Sequence, residues 1–521
     1  MIRLSLILAA ALPLLADDQP RPDLLRLTNG ELEGHFGGLD AKGVLRWERE
    51  DGIAPMEFKT DKVRQIVLHG GHAVDAGKDA AHLELVNGDR LPAHVVSLED
   101  DAFTVDTPMA GRLMIPRDAV VQVAPNPFGG RLIYAGPFSE DGWEVYSPDD
   151  DFPDFKEEKK DESKEEENEE EAPQDDQEPS WKHRGSKWYF SSGRDALRSA
   201  IGMPDQAILR FELEWRNRPP IAIAFHADFK GPLYPPAKKG EELSEKEQKD
   251  LQEQRDTRRR TSQHLADYFG NAYVLTLRSS YAQLQQCGFD KEGEPFINQI
   301  RSSSTNIRFD DAGTAVFELR CDRKKGSVSL FVNGEFSMQW DLKPGIEVID
   351  GDEDMTEAYG GHGNGIGFQM LGSDTPVRVS DIIVAEWNGM PDSARSLKSA
   401  EYDVVLLNNG TDRFSGKVSS IKDGKLILES RYAPLVIPLA EIAEIHLAKS
   451  GQRELEDSID KKTRVHFQPI GRISGIAGVT TDKNMNLHSP LLQKMDIDLT
   501  SAVILEFQSG SSFLNYWDEE L

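Results

Sequence analysis

The chain has 521 residues, of which 38% are hydrophobic and 29% charged, and a formal net charge of −30. That length exceeds a single core, so roughly three or more domains are expected. An acidic surface with no basic stripe repels phosphate backbones and excludes nucleic acid as a partner. The charge is uneven, because residues 149–178 hold 17 acids and 4 bases while the rest is only moderately acidic.

Residues 1–16 begin with an early arginine, continue through an apolar stretch and end on a small residue before Asp17-Asp18. This is the pattern of a secretory signal peptide cleaved near Ala16, and it places the protein outside the cytoplasm, periplasmic or extracellular. The apolar run is shorter than the ~20 residues a helix needs to span a bilayer, so no integral membrane segment is expected after its removal.

A fourfold echo then brackets the chain. Residues 25–34 read LRLTNGELEG, 83–89 LELVNGD, 405–416 VLLNNGTDRFSG and 467–475 FQPIGRISG. The gaps Gly30–Phe58, Gly88–Ile115, Gly410–Ile437 and Gly471–Ile497 are 28, 27, 27 and 26 residues. Apolar residues recur five and eight positions later, at Val63/Ile66, Val120/Val123, Ile442/Ile445 and Ala502/Leu505. Alternation and Asn-Gly turns predict about five short strands per unit. The units span 23–69, 81–124, 402–448 and 464–508 and resemble Sm-like or Src-homology-type small β-barrels. Each is small to fold alone, so tandem neighbours are expected to bury a shared face.

The middle, 126–392, alternates over strand lengths at 208–216, 221–229 and 272–289, and again at 316–342 with turns at Lys325-Gly326 and Asn333-Gly334. Two insertions interrupt it. The acidic segment 149–180 is too poor in apolar residues to offset chain entropy and reads as disordered. Residues 236–264 read as a charged, solvated helix. Trp143, Tyr146, Trp181 and Trp188 flank the acidic run and are expected in the core. Trp215, Trp340 and Trp387 are read as core or sheet edge. The Asn333-Gly334 hairpin, the Gly365-Ile366-Gly367-Phe368 strand and the closing Val379-Ser380-Asp381-Ile382 strand resemble a concanavalin A-like (laminin-G-like) jelly roll. The fold class is therefore all-β: a central sandwich flanked on each side by two small barrel repeats. The combination is similar to exported proteins of planctomycete-type bacteria.

Cys287 and Cys321 fall in the sandwich. An exported chain can keep a disulfide between them, and two separate buried thiols are the alternative. Retaining glycosidases need two carboxylates about 5 Å apart. The nearest candidates are Glu212 and Glu214, alternating opposite Phe211, Leu213 and Trp215, but laminarinase-type strands carry a third acid where this chain has Arg216. The sandwich also resembles the 3-keto-disaccharide hydrolase family, without a catalytic pair that maps. The loop bearing Asp350, Asp352, Asp354 and Glu357 offers hard oxygen donors for calcium, with a solvated turn as the other reading. No other cofactor motif is present. Tyr234, Tyr268, Tyr281 and Tyr359 are candidates for stacking on sugar rings, with His362 beside them. His226 reads as a polar surface residue. The sequence thus points to a non-enzymatic exported binder of a glycan or protein, its repeats mediating assembly. The alternatives are a carbohydrate-active hydrolase and a structural envelope scaffold.

Overall fold

The computed structural model describes residues 21–27, 30–75, 79–127, 130–148, 179–217, 220–231, 265–278, 281–290, 293, 295–300, 310–323, 326–341, 363–372, 375–389, 399–409, 412–454 and 462–507. The expected signal peptide, the acidic segment and the charged helix lie outside these residues.

The first unit contains β1 (Asp23–Leu27), β2 (Gly30–Leu39), β3 (Val44–Glu48), β4 (Met56–Lys59) and β5 (Val63–Val67). The second contains β6 (His82–Leu85), β7 (Arg90–Pro92), β8 (His94–Glu99), β9 (Ala102–Thr107), β10 (Gly111–Pro116) and β11 (Val120–Ala124). After the central strands come β27 (Asp403–Leu407), β28 (Arg413–Lys422), β29 (Lys425–Glu429), β30 (Pro434–Pro438) and β31 (Ile442–His446). The fourth unit contains β32 (Thr463–Phe467), β33 (Gly471–Thr480), β34 (Asn484–Ser489), β35 (Gln493–Asp498) and β36 (Ala502–Glu506). In the first unit the last strand returns to pair with the first, and the long second strand serves two neighbours. Residues 30–34 of β2 pair with β1, and residues 35–39 pair with β3. The bend falls on the second glycine of the repeat motif. A Cβ on Gly34 would lie 2.4 Å from the Glu48 carbonyl, one on Gly416 2.3 Å from that of Glu429, and one on Gly475 2.7 Å from that of His488. In the second unit Pro92-Ala93 stands there instead, and the strand is split into β7 and β8.

The units do not pair in tandem. The first pairs with the fourth through β5 and β36, and the second with the third through β11 and β31. The repeat-equivalent apolar positions meet their own counterparts, Ile66 opposite Leu505 and Val123 opposite Ile445. A second seam joins each pair. Leu98 of β8 lies opposite Ile421 of β28, and Leu39 of β2 opposite Thr480 of β33. One buried row therefore crosses six strands, from Ile115 through Phe103, Leu98, Ile421 and Leu426 to Ile437. The two pairs touch through β7 and β33, where Arg90 faces Arg472, and the four units share one continuous apolar core.

Between the repeats lie β12 (Leu132–Gly136), β13 (Glu144–Tyr146), β14 (Trp181–Arg184), β15 (Lys187–Phe190), β16 (Ala196–Ser199), β17 (Gln206–Arg216) and β18 (Ile221–Ala227). A five-residue helix, α1 (Leu265–Phe269), follows. Then come β19 (Ala272–Arg278), β20 (Tyr281–Phe289), β21 (Pro295–Ile300), β22 (Ala312–Asp322), β23 (Ser327–Val332), β24 (Glu335–Asp341), β25 (Gly365–Met370) and β26 (Val377–Glu386). The stretch 272–289, which alternates throughout, is a hairpin of two strands. Asn333 and Gly334 have φ of 52° and 77°, the left-handed pair that a tight hairpin turn requires. These strands form two antiparallel sheets. One has eight strands, β14-β15-β26-β17-β22-β23-β24 with β12 on β26, and the other has seven, β13-β16-β25-β18-β19-β20-β21. Phe211 and Phe317 of the first sheet stack at 5.5 Å, and Phe211 meets Phe368 of the second edge-on at 5.3 Å. Trp181, Trp188, Trp215 and Trp340 are buried in the same core, with Trp143 packed against it. Entry and exit strands of the sandwich pair with each other, Leu132 opposite Ala385, so the chain leaves beside where it came in. That adjacency lets the third unit meet the second and the fourth meet the first.

Cys287 and Cys321 are both buried and unbonded, so the disulfide alternative is corrected to two separate thiols. Cys321 sits on β22 in the core between the sheets, and Cys287 lies on β20 in the cluster around α1.

Candidate functional site

The alternation of β17 sends Phe211, Leu213 and Trp215 into the core and Arg210, Glu212 and Glu214 to the opposite face. That outer face is covered by the repeats. Glu212 lies 3.5 Å from Arg472 of β33, while Glu214 is ion-paired with Arg378 of β26. A bulge between β17 and β26 places Asp381 at φ 49°, turned out of the ladder towards Arg90 of β7. The guanidinium grips both carboxylate oxygens at 3.0 and 2.8 Å. Burial alone would raise the Asp381 carboxyl, but Arg90, Arg472 and Arg210 together hold it far below the usual carboxylate range. Beside it, Glu506 of β36 meets His466 at 3.2 Å and Lys187 of β15 at 3.4 Å. Burial opposes its charge, and Lys187 and His466 outweigh it, so its pKa falls well below normal.

Glu212 and Glu214 line a cavity of about 50 Å³ with Arg90, Lys187, Asp381 and Arg472. A single water needs roughly 10–15 Å³ on the same measure, so this space suits a few waters and not a pyranose. The two glutamates thus share a face, as their spacing requires, but it is a charge-paired junction. Lone buried charges are costly and paired ones specify a docking geometry, which is the chemistry this layer performs.

The outer face of the seven-stranded sheet is different. Its register aligns Ala196, Gln369, Ala222, Thr276 and Gln283 in one row across five strands. The next row contains Arg198, Gly367, Ala224, Val274, Gln285 and Gln299. The small central residues let α1 lie close. A Cβ on Gly367 would come within 2.5 Å of the Phe269 ring. Beyond the helix the face carries amides and a hydroxyl. Thr276 donates to Gln285 Oε1 at 3.2 Å, and Gln369 Nε2 donates to the Arg194 carbonyl at 3.2 Å. Gln369 Oε1 is buried and accepts no hydrogen bond among the described residues. Tyr281 continues the Gln283–Gln285 face of β20 and is exposed at its end.

Of the candidate stacking tyrosines, Tyr281 is exposed on this face, and Tyr268 is buried on α1. Tyr234, Tyr359, His362, Asp350, Asp352, Asp354 and Glu357 lie outside the described residues. Among the described residues no group of three or more His, Cys, Asp or Glu side chains is placed to hold a metal. His226, expected at the surface, is fully buried at a bulge with φ 50°, and its Nε2 is 2.8 Å from the Pro204 carbonyl. Burial pushes its pKa down to about 4, so the ring is neutral.

Arg90, Asp381, Arg472 and Glu506 were not among the expected residues. The charge alternation Arg210, Glu212, Glu214 opposite a wholly apolar face was the available signal, because such a strand needs a complementary partner. A second missed device is a buried aspartate opening the first and third units. Asp23 accepts from Phe36 N at 2.9 Å and His69 N at 2.7 Å, and Asp403 from Val418 N at 2.7 Å and Ala448 N at 2.9 Å. Aligning DLLRLTNG with DVVLLNNG shows the shared acid.

No family model matches the chain, and no curated protein matches it. Solved structures match part of it. A Bacillus subtilis protein of unknown function with a galectin-like fold is 15% identical, with a TM-score of 0.22, covering 39% of this chain and 82% of that one. The carbohydrate binding module CBM66 of Bacillus subtilis is 9% identical, with a TM-score of 0.19, covering 40% and 87%. The β-glucanase of Bacillus licheniformis is 7% identical, with a TM-score of 0.21, covering 40% and 82%.

Proposed function

We propose that this chain is an exported, non-enzymatic binding protein whose sandwich recognises a glycan on the outer face of the seven-stranded sheet. The carrying observation is the contrast between the faces. The carboxylates that hydrolysis would need are closed under the repeats. The opposite sheet presents half-buried Gln283 and Gln285 beside an exposed aromatic, Tyr281, with Thr276 and Gln369 buried behind them. Amides and hydroxyls exchange hydrogen bonds with sugar hydroxyls, and an aromatic ring supplies a stacking surface for a pyranose. The strand orders support reading the sandwich as concanavalin A-like and each repeat as an Sm-like barrel. In this reading the repeats are a rigid assembly platform and neither calcium nor another cofactor is required.

A glycan array with wild type and Tyr281→Ala tests the site. Binding to at least one glycan class, weakened about tenfold or more by the substitution, is expected. The same glycans are incubated with the protein and their reducing ends measured. Hydrolysis that disappears in Glu212→Gln would replace the binding reading with an enzymatic one.

A further inference from the structure

The turn between the third and fourth strands occurs four times and is built in two chemistries. In the second and fourth units it reads Pro108-Met109-Ala110 and Pro490-Leu491-Leu492. Met109, Leu491 and Leu492 are buried in the shared core. The Met109 carbonyl accepts from Asp498 N at 2.8 Å, so the second unit's turn is tied to the fourth unit. In the first and third units the same turn ends in Ile53-Ala54-Pro55 and Tyr432-Ala433-Pro434. Ile53 is 107% exposed and Tyr432 91%, against 3% for Met109 and 5% for Leu492.

These exposed residues sit on ordered turns. Arg49 grips both oxygens of Asp51 at 2.7 Å, and Gly52 N donates to the Arg49 carbonyl at 3.1 Å. Ser430 Oγ donates to the Ala433 carbonyl at 2.7 Å and accepts from Tyr432 N at 3.4 Å. A side chain held out by a fixed turn loses little entropy on docking. Scattered exposed apolar residues are ordinary, but two at the same repeat position are a pattern. The strand pairings order the units first–fourth–second–third, which leaves the first and third as free ends. Exposed Glu50 on one turn and Arg431 on the other complement each other in charge.

We infer that copies of this chain associate end to end, the Ile53 turn of one seated against the Tyr432 turn of the next, extending between molecules the use that the second and fourth units make of this turn within one. The contact is heterologous, so it propagates into rings or short filaments. Sedimentation velocity of the wild type over a hundredfold concentration series is expected to show mass rising above that of one chain. Ile53→Asp and Tyr432→Asp, both at exposed positions, are each expected to return the monomer with unchanged circular dichroism and melting temperature. Mixing the two variants should restore dimers only, because each keeps one intact end. A wild type that stays monomeric at every concentration overturns the inference. So does assembly that survives both substitutions, or recovery of a different macromolecule on these turns with no self-association.

Discussion

The two outer faces of the sandwich differ in chemistry: one is ion-paired to the repeats and the other is built mainly from neutral side chains. The eight-stranded sheet meets the repeats through Arg90–Asp381, Arg472–Glu212 and Lys187–Glu506, all largely buried. The seven-stranded sheet carries neutral amides around Thr276. Buried charges tolerate only one complementary partner, since any mismatch strands an ion in low dielectric. Neutral donors and acceptors lose less when a ligand leaves, because water replaces it.

The largest expected effect is on the seam that holds the platform together. Phe103→Ala removes the ring that bridges Ile115 and Leu98 in the six-strand row. It is expected to cost about 3–5 kcal/mol in denaturant unfolding. Arg90→Ala removes the bidentate partner of Asp381 and leaves it only Arg472 and Arg210, an expected cost of about 3–5 kcal/mol, whereas the double change Arg90→Met, Asp381→Asn, which keeps a residue that tolerates φ 49°, recovers part of that. A double variant no more stable than Arg90→Ala would show that the pair contributes packing rather than charge.

Acid should act on the charged junction in a defined order. The folded pKa of His82 is lowered from 6.5 to about 4, first by burial and then by Arg90. The unfolded chain therefore takes up this proton at higher pH than the folded one, and the contribution present above pH 6.5 is lost as pH falls towards 4. Glu444 has a folded pKa lowered from 4.5 to about 2, because His446 outweighs the burial that would raise it. Its contribution is present above 4.5 and is lost as pH falls through about 2. Melting temperature is thus expected to fall in two stages, and His82→Gln should remove part of the first. The smallest effect belongs to the neutral face. Tyr281→Ala should leave stability within about 0.5 kcal/mol while weakening glycan binding.

Much of this architecture is legible in the chain. The second glycine of NGELEG, NGTDRFSG and GRISG stands where a Cβ would strike a neighbouring carbonyl. Alternation in RFELEW assigns inner and outer faces correctly. The candidate site was harder to read, because exposure of Tyr281 and burial of Tyr268 depend on where α1 lies across the sheet. His226 was misread for a related reason: a bulge turned a polar position inward.

By itself the sequence determined the repeat, the strand periodicity and, outside the bulges at His226 and Asp381, the face each side chain takes, since these follow from local geometry of period two. It did not determine which unit pairs with which. Ile66, Val123, Ile445 and Leu505 present the same apolar edge, so local pattern cannot choose among them. The tertiary structure chose, because pairing of β12 with β26 returns the chain to its point of entry and nests the units around the sandwich. Charge complementarity across that junction then closed the outer face of one sheet of the sandwich under the repeats.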